Sequence, residues 1–182
     1  MPPPNKPALR AAARAILASL SPTVRTAASA QICAAIRALP EWSASTNIAL
    51  FVPFPSEPDI TSLLDSPGKT FCFPRVSGET MDFLQCPSLS LMCMGPWKIL
   101  EPHPDDCPLV PAPDIDLLII PGLAFTPDGH RLGRGAGHYD RFLARAHPRA
   151  IKLGVCFHAQ LVPAMPIDPH DIPMHRVVTE PP

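Results

Sequence analysis

Apolar positions fall into two kinds of run along this chain. Before Pro40 they recur at helical spacing; after Asn47 they come as short unbroken blocks closed by proline. Asn5 ahead of Lys6-Pro7 is a capping residue with proline in the first turn, and predicts a helix to about Leu20. Ser21-Pro22 repeats that signal, and Val24, Ala28, Ile32, Ala35 and Leu39 carry a helical period up to Pro40. Asn47 to Phe54 then reads as a buried strand, with a short helix about Ile60 to Leu64. Thr70–Pro74 and Met81–Leu84 are predicted as further short strands. Cys86 to Pro113 is rich in proline and methionine, shows no period, and is expected to be mostly loop. Asp116–Ile120 is the clearest buried strand, stopped by Pro121-Gly122. A loop through Gly129, Gly133, Gly135 and Gly137 leads to a helix over His138–Ala146, a strand over Ile151–Phe157 and a last strand over Arg176–Thr179.

Continuous apolar strands alternating with helices predict an α/β fold. The expected form is three layers, with a mainly parallel sheet covered by helices on both faces. In such sheets ligands sit beyond the carboxyl ends of the strands, so the loops after Phe51, Ile120 and Phe157 are the places to look for chemistry. A chain of 182 residues is of ordinary single-domain length, and one domain is expected over 1–182.

Composition changes the picture in three places. The formal net charge is −1, which excludes a generic nucleic-acid-binding surface; any basic site must be local. The 27 prolines and 9 glycines stay below the roughly 25–30 % that marks low complexity, and instead imply short elements joined by stiff loops. The six cysteines form no C-x-x-C pair, and most sit in apolar company, as small core residues do; this fits a reducing cytoplasm. No apolar run reaches the ~18 residues of a membrane span. The stretch before Glu41 holds Lys6, Arg10, Arg14, Arg25 and Arg37, many alanines and no acid, a pattern that imitates an organelle transit peptide and equally suits a basic helix aimed at an anion.

The strongest local signal is Arg131-Leu132-Gly133-Arg134-Gly135-Ala136-Gly137-His138-Tyr139-Asp140-Arg141. Three alternating glycines before a helix let main-chain amides approach a ligand, and two arginines add bidentate donors. This reads as a polyphosphate cradle; its alternative is a Gly-rich surface loop. It is neither a Walker A loop, since no Gly-Lys-Ser/Thr follows, nor a dinucleotide fingerprint, since His stands at 138 and the nearest predicted strand ends near Ile120. Lys6, Arg10 and Arg14 share a helix face about 12 Å long, the length of a triphosphate, or else form a solvated stripe. Asp140 and Asp171 are carboxylates of the kind Mg²⁺ takes alongside phosphate oxygens. Glu57, just beyond a buried strand, is placed to recognise a heterocycle, or is a solvent-facing loop charge. Trp97 is a candidate stacking residue or partial core.

These segments in this order resemble the 5-formyltetrahydrofolate cyclo-ligase family, also called methenyltetrahydrofolate synthetases. The matching residues are Lys6 with Leu9-Arg10; Ile48-Ala49-Leu50-Phe51 with Glu57; Phe73-Pro74-Arg75-Val76; Met81 with Phe83; Ile99-Leu100-Glu101-Pro102; Pro121-Gly122-Leu123-Ala124-Phe125; Asp128-Gly129 through Arg141; Gln160; and Pro169-His170-Asp171 with Val178-Thr179-Glu180. The resemblance implies a Rossmann-like fold and ATP- and Mg²⁺-dependent conversion of 5-formyltetrahydrofolate to 5,10-methenyltetrahydrofolate, with ADP and phosphate released, through an N5-iminium phosphate.

By the same resemblance, Lys6, Arg10 and the loop Arg131, Leu132, Gly133, Arg134, Gly135, Ala136, Gly137, His138 and Tyr139 would hold ATP, and Asp140 and Asp171 would hold Mg²⁺. Glu57, Arg134, Gly135, Ala136, Gly137 and His138 would bind the folate, and Arg134 and Tyr139 would be the catalytic groups. Arg134 is expected to serve the nucleotide more than the folate, and Glu57 the reverse. His138 stands where the family usually has tyrosine. The expected partner is the folate alone, with no nucleic acid and no membrane, and the chain is expected to act as a monomer. Two other readings stand beside this one: a non-catalytic nucleotide- or RNA-binding module of the same fold, and an organelle-targeted or phosphosugar-binding protein of similar architecture.

Overall fold

A computed structural model describes residues 5–182; the first four residues of the domain expected over 1–182 lie outside the described residues. Helix α1 (Lys6–Ser19) starts where Asn5 accepts the Ala8 N–H at 2.9 Å, with Pro7 in its first turn. Helix α2 (Pro22–Arg37) starts where Ser21 accepts from Val24 at 3.3 Å, and buries Ala28, Ile32, Cys33 and Ile36. Sequence reasoning passed over α3 (Pro40–Ala44), a short turn of helix that seats the buried Trp42. The last helix, α4, spans His138–Leu143, three residues short of expectation.

The strands are β1 (Asn47–Ala49), β2 (Thr70–Ser77), β3 (Thr80–Gln85), β4 (Met92–Met94), β5 (Leu100–Pro102), β6 (Leu109–Val110), β7 (Leu117–Pro121), β8 (Ala124–Phe125), β9 (Arg131–Leu132), β10 (Ile151–Val155) and β11 (Arg176–Val178). Seven of them form the main sheet in the order β11-β10-β7-β1-β2-β3-β6. The pairings β11·β10, β10·β7, β7·β1 and β1·β2 are parallel; β2·β3 and β3·β6 are antiparallel. The expected mainly parallel sheet is therefore present, with an antiparallel edge.

The two faces are buried separately. Alternate side chains of β7 divide between them: Leu117 and Ile119 pack with Leu17, Ile32 and Ile36 of α1 and α2, while Leu118 and Ile120 pack with Phe142 and Leu143 of α4. A continuous apolar run was the right signature for such a doubly covered strand.

Several boundaries correct the sequence expectation. The run after Asn47 stays in strand only to Ala49; Leu50 to Phe54 continues outside any strand and turns over the carboxyl end of the sheet. The stretch from Cys86 to Pro113, expected to be mostly loop, contains the two-stranded sheet β4·β5 and the edge strand β6. The Gly-Arg loop does follow a strand directly, because β8 and β9 form a hairpin with Ala124 opposite Leu132.

Beyond β1 the chain moves to β2 on one side; β7 lies on the other side of β1. The loops leaving the carboxyl ends of β1 and β7 diverge there, and a crevice opens between them.

Candidate active site

The hairpin β8·β9 aims Arg131 back at the end of β7. Its guanidinium donates to the Pro121 carbonyl at 3.3 Å and to Asp140 Oδ1 at 3.0 Å, and sits 5.3 Å from the centre of the Tyr139 ring. Arg131 thus ties strand end, loop and α4 together. Gly133 lets this side chain pass: a Cβ there would come within 2.9 Å of its Nη1. Gly137, the residue before α4, has φ +70, and a Cβ would meet the Arg141 guanidinium at 2.8 Å, so only glycine suits both the turn and the contact. Arg10 reaches across from α1 and donates to the Gly133 carbonyl at 3.0 Å. Tyr139 has its phenol pushed well above the usual range by burial and by the Glu57 carboxylate, against the pull of Arg131; it is a neutral hydrogen-bonding group at physiological pH.

Glu57 lies at the end of a tight turn in which its own N–H donates to Phe54 O at 2.9 Å. Its Oε2 accepts from Phe54 N at 3.0 Å and its Oε1 from Arg134 Nε and Nη2 at 3.2 and 2.7 Å. The Arg134 guanidinium also lies 4.1 Å over the Phe54 ring. Burial raises the Glu57 carboxyl above its ordinary value despite Arg134 and the Phe54 N–H. The sequence placed Glu57 with the folate and Arg134 chiefly with the nucleotide; the structure joins them as one ion pair.

The third cluster could not be read from spacing. Lys6 Nζ lies 2.6 Å from both Asp168 Oδ2 and Asp171 Oδ2, across a sequence separation of 162 residues for Asp168. Burial pulls the ammonium down, but the two carboxylates more than offset it, and Lys6 titrates above its ordinary value. Burial likewise opposes ionisation of Asp171, yet the Asp168 N–H, at 2.7 Å, and Lys6 hold it below the ordinary aspartate value. Asp168, His170 and Asp171 each bring a ligand atom to within 4.8 Å of the others. Two carboxylates beside a cluster of guanidinium groups suit a hard divalent cation shared with phosphate oxygens, so this donor set fits Mg²⁺. Asp140, the other expected metal ligand, lines the same cleft but is held by Arg131 rather than by this cluster.

All these groups line one crevice of about 240 Å³. Every residue the sequence assigned to nucleotide, folate or metal is on its wall: Lys6, Arg10, Glu57, the loop from Arg131 to Tyr139, Asp140 and Asp171. Arg14 is not; it faces a second hollow beside Arg25, so the triphosphate-length stripe does not act as a unit. His138 has Nδ1 accepting from Arg141 Nη2 at 3.2 Å, beside the Glu79 carbonyl that Arg141 also binds. The rest of the lining is largely apolar, with Phe51, Val52, Val76, Met81, Ile99 and Leu100 and the exposed Trp97. Sequence reasoning missed Asp168 and Phe54 as parts of the site. The only signal for Asp168 was its place three residues before Asp171; Phe54 was taken for the end of a strand.

Comparison with known proteins matches this arrangement to one family. The sequence profile of the 5-formyltetrahydrofolate cyclo-ligase family matches residues 3–180. A probable 5-formyltetrahydrofolate cyclo-ligase of Schizosaccharomyces pombe is 28 % identical, over 96 % of this chain and 95 % of its own length. The 5-formyltetrahydrofolate cyclo-ligase of Escherichia coli K12 is 34 % identical, over 73 % of this chain and 77 % of its own. The solved 5,10-methenyltetrahydrofolate synthetase of Aquifex aeolicus superposes with a TM-score of 0.85 at 32 % identity, covering 96 % of this chain and 89 % of that one.

Proposed function

This chain belongs to the 5-formyltetrahydrofolate cyclo-ligase family, a family of ligases, and we propose that it converts 5-formyltetrahydrofolate and ATP to 5,10-methenyltetrahydrofolate, ADP and phosphate. One observation carries the reading. Segments as distant as Lys6, Glu57, Arg134 and Asp171 meet in a single crevice whose lining joins arginines, a lysine and their paired carboxylates to a set of apolar side chains. That is the shape of a site for a polyphosphate and a flat heterocycle together.

The chemistry asks for positioning and charge neutralisation rather than a protein nucleophile. The formyl oxygen on N5 attacks the γ-phosphorus; the new O–P bond forms as the bond to ADP breaks, which leaves an N5-iminium phosphate. N10 then adds to the iminium carbon, loses its proton, and the C–O bond breaks to release phosphate. Arg10, Arg131 and Arg134 are the donors for the transferring phosphoryl group, with the Gly-rich main chain between them. Each already holds a carbonyl or carboxylate: Gly133 O, Asp140 and Glu57. Binding of phosphate therefore exchanges partners, and the arginines start pre-oriented. Lys6 does the same between Asp168 and Asp171, and its departure to phosphate frees carboxylate oxygens. Mg²⁺ would be held by Asp171 and its neighbour Asp168, joined by Asp140 once phosphate draws Arg131 from it, and would neutralise phosphate charge. Neutral Tyr139, stacked on Arg131, keeps that guanidinium in place and offers a hydroxyl to the reacting oxygens. No helix among the described residues is long and apolar enough to cross a membrane; six unbridged cysteines suit the cytoplasmic setting that belongs to this reading.

The test is a mixture of protein, Mg²⁺, ATP and 5-formyltetrahydrofolate, followed by the absorbance of the methenyl product. Growth that needs all three small molecules is expected. A flat trace from folded protein that still binds ATP would replace this reading with that of a binding module.

A further inference from the structure

Among the described residues six polar or charged ones are buried: Ser29, Ser45, Glu57, Glu101, Thr126 and Gln160. Five are satisfied. Ser29 Oγ donates to Arg25 O and accepts from Asp59 N; Ser45 Oγ donates to Glu41 O; Thr126 Oγ1 accepts from His130 N. Gln160 accepts from Phe157 N and donates to the Gly122 and Leu123 carbonyls; Glu57 holds Arg134 and the Phe54 N–H. Glu101 is the exception. Its Oε1 takes one long bond, 3.4 Å, from Val76 N, and its Oε2 is shielded from water with no partner among the described residues. A buried acceptor without a donor costs folding free energy, and in a native structure it calls for a reason.

The hairpin around it is inverted. Glu101 on β5 is 5 % exposed while its neighbour Leu100 is 36 % exposed and Met94, opposite Leu100, is 66 % exposed. A hairpin serving only stability would turn the other way. Gly95 on the turn keeps room for the acid: a Cβ there would lie 2.5 to 2.8 Å from the Glu101 carboxyl atoms. Burial raises the Glu101 carboxyl above its ordinary value, while the Val76 N–H and nearby Arg75 favour its ionised form. The residue lines the active-site crevice, where it contacts Val76 and is bonded by none of Lys6, Arg10, Arg131 and Arg134.

We propose that Glu101 recognises the 2-amino-4-oxopyrimidine edge of the substrate's pteridine ring, its carboxylate accepting from the exocyclic amine and the adjacent ring N–H. The inference rests on the cyclo-ligase reading and assigns a specificity-determining residue within it. Unlike Glu57, Asp140, Asp168 and Asp171, Glu101 is in no ion pair among the described residues, so its carboxylate favours an uncharged donor edge over phosphate. Apolar neighbours favour a flat ring. The pteridine edge presents two adjacent donors, which match a carboxylate; adenine presents one amine beside an acceptor nitrogen. Glu57, already filled by Arg134 and Phe54, has no such free oxygen. Glu101 therefore gains a partner on binding, where the arginines exchange one.

The experiment is calorimetric binding of 5-formyltetrahydrofolate, of its analogue lacking the 2-amino group, and of MgATP, to the full chain and to Glu101→Gln. The analogue is expected to bind the unaltered protein about tenfold or more weaker than the substrate, and Glu101→Gln to distinguish the two less than threefold. ATP affinity should not move. The melting temperature of ligand-free Glu101→Gln should be equal or higher, because an unpartnered buried charge is gone and an amide oxygen still accepts from Val76. Gly95→Ala, which displaces the carboxylate while keeping it, should lose the same discrimination. Undiminished discrimination by Glu101→Gln, equal weakening of ATP, or a lower melting temperature would overturn the assignment and make Glu101 structural. Because binding is read directly, absent turnover would count against the cyclo-ligase activity while the discrimination still decides Glu101; a folate that fails to bind the unaltered protein would overturn both.

Discussion

The two walls of the crevice solve opposite problems. On the polar wall every cation already has an anion or a carbonyl: Lys6 with Asp168 and Asp171, Arg131 with Asp140, Arg134 with Glu57, Arg10 with Gly133 O. On the apolar wall one carboxylate, Glu101, has an oxygen with nothing. Desolvated charges are tolerated when they are paired, so the pairs hold the polar wall in place, and under the proposed function phosphate would bind by exchange. The apolar wall can leave a single acceptor unmet because its burial is otherwise favourable. The contrast teaches that one site can combine two devices: internal ion pairs that pre-orient cations, and an unpaired acceptor that, in the proposed reading, selects a particular ring edge.

Breaking the pair with the most deeply buried carboxylate should have the largest effect. Arg134→Ala is expected to lower kcat/KM about a thousandfold, as loss of a transition-state donor does. It should also destabilise the fold by about 2 kcal/mol, because Glu57 is left buried without its cation, the exposed side of the guanidinium moderating the loss. The double variant with Glu57→Gln should recover the stability but not the rate; steady-state kinetics and thermal melts separate the two.

The metal side comes next. Asp171→Asn should move the Mg²⁺ requirement upward by at least the roughly 10–100-fold that even an outer-shell partner is worth, read from a Mg²⁺ titration of rate. An unchanged titration would remove Asp171 from the metal shell.

Lys6→Met probes exchange directly. It should cost about 2 kcal/mol of stability, the scale of hydrogen bonds to charged groups, with a characteristic pH dependence. Asp171 titrates below its ordinary 3.8, so its contribution is complete above that value and is lost as pH falls through the lower folded value. Lys6 titrates above its ordinary 10.5, so its contribution is complete below that value and is lost as pH rises through the higher folded one. The stability difference between wild type and variant should therefore be flat from about pH 5 to about pH 9 and shrink at both extremes. A difference that changes across neutrality would mean another group governs the pair. The smallest effect is expected for His138→Tyr, whose side chain contacts Arg141 beside the Glu79 carbonyl rather than the arginine–carboxylate pairs: stability within about 0.5 kcal/mol, by thermal melt.

Much of this was legible in the sequence where one local rule sufficed. Asn5 and Ser21, each followed by proline, marked the starts of α1 and α2, and the unbroken apolar run of β7 marked a strand covered on both faces. The Gly-Arg loop announced itself by composition. Three things were hidden for physical reasons. Strands of two or three residues, such as β4, β5 and β9, are too short to show a period of two. The Lys6 cluster is made by tertiary contact between chain ends, which no spacing encodes. The Arg134–Glu57 pair required knowing that the Phe54 turn faces the loop, and Glu101, inside a recognised segment, stood out only once its missing partner could be seen.

The proposed reaction requires transfer of phosphate to the formyl oxygen before ring closure. 5-Formyltetrahydrofolate carrying a heavy oxygen isotope in its formyl group tests that step: after turnover with ATP and Mg²⁺, the label should be in the released inorganic phosphate, one labelled phosphate for each methenyl product. Label appearing in water, with unlabelled phosphate, would contradict it.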